Sequence, residues 1–205
     1  MNDYYKIFKI CMIFLLFIRV YKFKKNNFYL RNNKILKQRI IRDVLFINGC
    51  DPNILPHPYR YRILHQIEQL NAGFLDCYEI YYENFNPLII SDFRVIIFYR
   101  CPWTDNIGKA INLAKNLKKK VLFDIDDLVF DTKYTDLVPY LQTISVNEKK
   151  LYDEGVFRMK KTLEHCEGAI TSTEVLAKEL KKYMPKVFIN RNVASVEMFK
   201  LSEIA

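Results

Sequence analysis

From residue 43 onward, short apolar runs alternate with segments whose apolar positions recur at helical spacing. Residues 44–47 (Val-Leu-Phe-Ile) read as a strand buried on both faces. They run into Asn48-Gly49-Cys50-Asp51-Pro52, a turn-rich loop stiffened by Pro52, Pro56 and Pro58. Ile63, Leu64, Ile67 and Leu70 line one side of a helix over residues 59–72, which Gly73 stops. Residues 77–82 and 95–99 read as the second and third strands. Thr104 stands where it would cap a helix to about residue 117, with Ile107, Ile111 and Ala114 inward. Residues 121–123 (Val-Leu-Phe) form a fourth apolar run. The aromatic, Pro-containing stretch 134–141 fits neither pattern. Residues 146–165 predict a longer polar helix interrupted near Gly155. A fifth strand at 169–171 meets Ser172-Thr173-Glu174, a good helix start; that helix runs to Met184, and 187–189 make a sixth strand. The alternation predicts an α/β fold, a doubly wound, mostly parallel sheet of about six strands. Right-handed crossovers would bring the loops after the strands to one edge, where such sheets bind ligands.

Composition changes this picture at one end only. The 205 residues suit one sizeable domain, and half of them are hydrophobic, enough to build its core. The formal charge of +9 is not spread evenly. Residues 1–42 hold 11 Lys and Arg against the single acid Asp3, which leaves 21 basic and 22 acidic residues for the rest. A neutral body argues against nucleic acid as a partner, since a phosphate-tracking surface needs clustered cations. Five cysteines, an odd number with none in C-x-x-C spacing, suit a reducing compartment and argue against a disulfide framework or a zinc site. His57, His65 and His165 are too widely spaced for a local metal cluster. No G-x-G-x-x-G or P-loop pattern is present, so no cofactor is indicated.

The basic N-terminus surrounds a run of nine uncharged apolar residues, 10–18, bounded by Lys9 and Arg19. It is short of the roughly 20 residues a spanning helix needs. A secretory signal has this form, yet no small-residue cleavage site follows. A basic, apolar helix lying in an anionic membrane surface, on the cytoplasmic side, accounts for both features. A basic tail packed on its own domain is the plainer alternative. Three regions are therefore expected: a membrane-associating segment 1–42, a globular domain 43–195, and a linker or tail 196–205.

The chemistry gathers at the ends of the expected strands. Asp124, Asp126 and Asp127 directly follow the fourth apolar run, and carboxylates rarely sit unpaired in a core. They could accept sugar hydroxyls, act as a base, hold Mg²⁺, or form an ion-paired turn with nearby arginines. Arg60-Tyr61-Arg62 opens the first helix, where the dipole favours a phosphate or an acidic sugar; the same arginines could instead be solvated, or partner the aspartates. Arg100 with Trp103 combines a charge with a flat face for a sugar ring, although Trp103 could equally fill core. Gly49 would let the backbone approach a ligand. Thr173 and Asn192 add polar groups after the fifth and sixth strands.

The order Tyr59-Arg60-Tyr61-Arg62, then Phe98-Tyr99-Arg100-Cys101-Pro102-Trp103, then Phe123-Asp124-Ile125-Asp126-Asp127-Leu128-Val129-Phe130 resembles the N-terminal domain of GT-B fold bacterial glycosyltransferases, in the retaining group that builds cell-surface polysaccharides. Residues 170–176 are similar to that family's fifth-strand signature. Residues 187–193 are similar to its sixth, with Arg191 and Asn192 replacing the usual Pro-Asn and Val193 standing where Gly would. The resemblance covers about residues 43–195. It implies a Rossmann-like half that holds the acceptor, a lipid-linked or surface glycan, through Gly49, Arg60, Tyr61, Arg62, Arg100, Trp103, Asp124, Asp126, Asp127, Thr173 and Asn192. It also implies a nucleotide-sugar donor bound mainly by a second domain, which these residues do not include, so the expectation is either a truncated product or a chain whose donor-binding half is supplied by a partner. Such enzymes usually need no metal. Two rivals remain: a membrane-tethered glycan- or partner-binding domain without turnover, and a Mg²⁺-dependent transferase or phosphatase using Asp124 and Asp126.

Overall fold

The structure is a computed structural model that describes residues 41–204; the expectations for the apolar run 10–18 and its flanking cations lie outside the described residues. Six strands form one parallel sheet: β1 (Arg42–Asn48), β2 (Cys77–Tyr81), β3 (Phe93–Tyr99), β4 (Lys120–Asp124), β5 (Gly168–Thr171) and β6 (Val187–Ile189). Their order is β2-β1-β3-β4-β5-β6, which makes the fold Rossmann-like. The apolar runs 44–47, 95–99 and 121–123 lie in β1, β3 and β4, because residues buried on both faces need apolar side chains on both; the expected strands 169–171 and 187–189 lie in β5 and β6, and 77–82 overruns β2 by one residue.

Successive side chains leave a strand on opposite faces, and the core divides accordingly. Val44, Phe46, Ile97, Tyr99 and Ile170 face a helix over residues 56–72, here α1, through Ile63 and the partly buried Ile67 and Leu70. Leu45, Ile47, Ile96, Phe98, Val121 and Phe123 face the other way. There they meet α2 (Asp105–Asn116), α3 (Val146–His165) and α4 (Glu174–Leu180), through residues such as Ile107, Ile111, Leu163 and Leu180. Thr104 and Thr173 cap α2 and α4, accepting from the Ile107 and Leu176 N–H groups.

Three departures from the sequence reading have physical causes. Gly155 does not interrupt α3, which is continuous over 20 residues. A capping box between Ser145 and Glu148 starts that helix, and a single interior glycine costs only about 1 kcal/mol. The unassigned stretch forms two 3₁₀ segments, Thr132–Leu137 and Pro139–Gln142. They are pinned by Asp131, which accepts from the Lys133 N–H at 2.9 Å, Lys160 at 2.7 Å and the Tyr183 hydroxyl at 2.8 Å. Finally, part of the expected tail is a short helix, α5 (Val196–Ser202), capped by Ser195.

The segment before α5 is laid across α1. Asn190 Nδ2 donates to Gln66 at 2.5 Å, His65 Nδ1 donates to the Val193 carbonyl at 2.7 Å, and the Val196 N–H donates to Glu68 at 2.9 Å. Among the described residues, no helix is long and apolar enough to cross a membrane.

Candidate functional site

The register of the sheet places Asn48, Tyr99 and Asp124 side by side, at the carboxyl ends of β1, β3 and β4 and on the face covered by α1. This row is polar where the residues just before it in each strand, 44–47, 95–98 and 121–123, are apolar, and all three side chains are almost fully enclosed.

Arg62 enters the row from above. Residues 60–64 form a π-helical turn inside α1, and π-bulges commonly re-aim a side chain. Arg62 is 0% exposed. Its Nε donates to Asp124 Oδ1 at 3.2 Å, and one terminal nitrogen donates to both Asp124 oxygens at 2.7 and 2.9 Å. The other terminal nitrogen donates to the Asn190 carbonyl at 2.6 Å and to Asn192 Oδ1 at 3.1 Å. A guanidinium has five N–H donors, and here the protein itself takes all five. The expectation that Arg62 would receive a phosphate or acidic sugar is thereby corrected: its charge is matched by Asp124, and no donor remains. Burial pushes the Asp124 carboxyl up to about 6, against the opposing pull of Arg62.

A second cluster lies one turn further out. Arg100 leaves β3 in the left-handed region, with φ 45°, a conformation that non-glycine residues adopt at some cost. Its Nε and one terminal nitrogen donate to Asp126 Oδ1 at 2.8 and 2.6 Å, and the same nitrogen also donates to Asp127. The Tyr99 hydroxyl donates to the same Asp126 oxygen at 3.0 Å. Burial works against the Arg100 charge, but the Asp126 and Asp127 carboxylates hold it protonated above its usual range. Burial also drives the Tyr99 hydroxyl well above the ordinary phenol value, so it acts as a donor. Asp126 Oδ2 has no partner among the described residues, and the Asp126 side chain is 14% exposed. The result is a carboxylate fixed through one oxygen, with no protein donor on the other among the described residues.

Gly49 serves this cluster from behind. A Cβ there would lie 2.3 Å from the Arg100 carbonyl oxygen and 2.6 Å from Cys101 Cα, and the Gly49 N–H donates to the Tyr99 carbonyl at 2.8 Å. The close approach expected of Gly49 is made by the chain's own β3 loop, not by a ligand. Trp103 is also differently engaged. It packs on Gly108 of α2 and on His165 of α3, with ring centroids 4.4 Å apart, and Lys161 Nζ lies 4.7 Å from its ring. Its backbone exchanges hydrogen bonds with Arg158, each 3.0 Å. It belongs to the layer opposite α1, so it fills core there and presents no face toward Arg62 or Asp124.

The remaining candidates are dispersed. Arg60 is exposed and Tyr61 packs edge-on against His65, 5.2 Å between centroids. Thr173 is engaged in capping, and Glu174 beside it pairs with Arg191. Asn192 meets the site only through Arg62. Among the described residues no group of three His, Cys, Asp or Glu side chains is arranged to hold a metal ion.

The sequence reading missed two participants, Tyr99 and Asn48. Both looked like the tail of an apolar run or the head of a loop. Only the strand register, which aligns them with Asp124, reveals that they share its face. Comparison with protein-family models and with curated protein sequences gives no match.

Proposed function

We propose that this domain is the acceptor-side half of a GT-B type glycosyltransferase, of the retaining kind that builds cell-surface polysaccharide. In this reading it holds a glycan hydroxyl at the carboxyl edge of β1, β3 and β4, while a nucleotide-sugar is bound mainly by a second domain. One observation carries the reading: Asp126 is fixed through one oxygen by Tyr99 and Arg100, and its other oxygen has no protein partner in a side chain that is 14% exposed. A carboxylate so held can accept the proton-bearing edge of a sugar hydroxyl without reorganising. The motif order around Arg100 and Asp126 that resembles this enzyme group supports the same reading, as does the Rossmann-like sheet. The basic, apolar residues 1–42 fit a protein peripheral to the inner face of the cell membrane, where a lipid-linked glycan is confined.

The test is sugar transfer from radiolabelled nucleotide-sugars to a lipid-linked glycan fraction, with the chain alone and with a separately expressed donor-binding half. Turnover only with both halves, lost in Asp126→Asn while the fold persists, is the expected result. Full turnover in Asp126→Asn would overturn the assignment. Deleting residues 1–25 should shift the protein from the membrane fraction to the soluble one.

A further inference from the structure

We infer that the amino edge of the sheet, opposite the candidate site, docks on an anionic lipid bilayer: exposed apolar turn tips enter the headgroup layer and unpaired lysines beside them meet lipid phosphate. This goes beyond the sugar site, and beyond the basic residues 1–42, because it assigns a membrane contact to the folded domain itself.

All six strands are parallel, so each crossover brings the chain back to this edge before the next strand begins. Two of the returns have the same build. At the end of α1 the Phe74 N–H donates to the Asn71 carbonyl at 2.9 Å and the Leu75 N–H to that of Leu70 at 3.0 Å. At the end of α2 the Lys118 N–H donates to Lys115 at 3.0 Å and the Lys119 N–H to Ala114 at 2.8 Å. Both are Schellman closures, and glycine usually fills their left-handed position. Here it is held by Phe74, at φ 64°, and by Lys118, at φ 54°. A bulky side chain in that region is costly, and no packing offsets the cost for Phe74, which is 95% exposed.

Other apolar side chains lie along the same edge. Ile41 and Leu117, just before β1 and β4, are exposed, as is Leu88 in the 3₁₀ segment leading into β3. Lys119 Nζ ties that segment to the α2 turn by donating to the Ser91 carbonyl at 3.2 Å. The turns before β2 and β4 are three strand positions apart, about 15 Å, so the tips stand on separate turns. Protein partners favour one contiguous apolar patch, whereas a fluid headgroup layer closes around separate tips.

The charges match such a surface. Arg42 pairs with Asp76, Arg94 with Asp43 and Lys120 with Glu167. The exposed Lys115, Lys118, Lys181 and Lys186 have no carboxylate partner among the described residues. Lysines near helix ends are ordinary; bare apolar tips beside them are not. At the opposite edge, Asp124, Asp126 and Asp127 outnumber Arg62 and Arg100, so an anionic surface is drawn to one edge and not the other. With β1 and β3 upright on the bilayer, their seven residues hold the candidate site about 20 Å above it. Under the transferase reading, that site meets the outer end of a glycan rather than the sugar next to its lipid.

The experiment sets a tryptophan at either edge of the full-length chain, Phe74→Trp or Ile54→Trp, the latter in the exposed loop after β1. Quenching by brominated phosphatidylcholine is read in vesicles that also contain phosphatidylglycerol, relative to the unsubstituted chain with Trp103 alone. Quenching and a blue shift are expected for Phe74→Trp and not for Ile54→Trp, with neither in phosphatidylcholine alone. Lys118→Glu combined with Lys186→Glu should weaken vesicle partitioning roughly tenfold or more, at about fivefold per lysine, and leave the urea midpoint in place. Absence of quenching in Phe74→Trp would overturn the inference, as would equal quenching in Ile54→Trp. A blue shift of Phe74→Trp that grows with protein concentration without vesicles would overturn it in favour of a second copy of the chain. Should Phe74→Trp misfold, Leu117→Trp gives the same decision. None of these readings needs turnover, so this inference and the transferase reading fail separately.

Discussion

Two buried aspartates seven residues apart, Asp124 and Asp131, bracket the loop after β4 and have opposite electrostatic fates. Asp124 is enclosed at the sheet edge and has one cationic partner, Arg62; burial prevails and its carboxyl rises to about 6. Asp131 also pays for burial, but the combined donors of Lys160, the Lys133 N–H and Tyr183 outweigh it and hold its carboxyl down to about 2. The first arrangement is an enclosed polar cluster, in which desolvation outweighs one guanidinium. The second is a tie at the rim, whose lysine partner is 31% exposed. Donor number and enclosure, not residue type, decide which carboxylate is comfortable.

The largest expected effect that separates them is removal of the charged partner. Arg62→Ala should cost about 3–5 kcal/mol in urea unfolding, because it strands a buried carboxylate. Asp131→Ala should cost less, about 1.5–3 kcal/mol, the range for hydrogen bonds to a charged group. Equal losses would erase the contrast. The double replacement Arg62→Met with Asp124→Leu should recover most of the Arg62→Ala loss, since apolar pairs of similar volume commonly match a buried ion pair.

Next in size is Gly49→Ala, predicted to destabilise by about 1–3 kcal/mol, as the new methyl meets backbone rather than a yielding side chain. A neutral result would mean that the Arg100 turn is softer than its contacts imply.

The subtlest test is pH. Asp124 has a folded value above its ordinary 3.8, so its contribution is complete below about 4 and fades as pH rises through about 6. Asp131 has a depressed value, so its contribution is complete above about 4 and is lost as pH falls through about 2. Urea midpoints against pH should therefore flatten between pH 4 and 6 in Asp124→Asn, and between pH 2 and 4 in Asp131→Asn. The reverse pattern would show that the two sites have been assigned the wrong way round.

Much of the fold was legible in the sequence. The apolar runs at 44–47, 95–99 and 121–123 each became a strand, because burial on both faces leaves little room for polar residues. The carboxyl edge was legible as the place where Arg62, Arg100 and the aspartates gather. What could not be read was which charges neutralise each other. That Arg62 belongs to Asp124 depends on a π turn and on the return of residues 190–192, neither of which leaves a local pattern. Trp103 admits both readings in the sequence for a similar reason: a tryptophan at a strand end gives no sign of whether Gly108 and His165 will roof it. The 3₁₀ segments after Asp131 lacked periodicity because distant donors, Lys160 and Tyr183, hold them in place.

Arg62 reaches acceptors 128 and 130 positions later in the chain, at Asn190 and Asn192. During synthesis on the ribosome, Arg62 therefore emerges well before its charge partner Asp124, and two of its five donors stay unmatched until almost the whole domain has been translated. Order of assembly is thus written into one side chain: the early elements wait for the last, and a nascent chain halted before residue 190 should remain open to protease at α1 while the finished one resists.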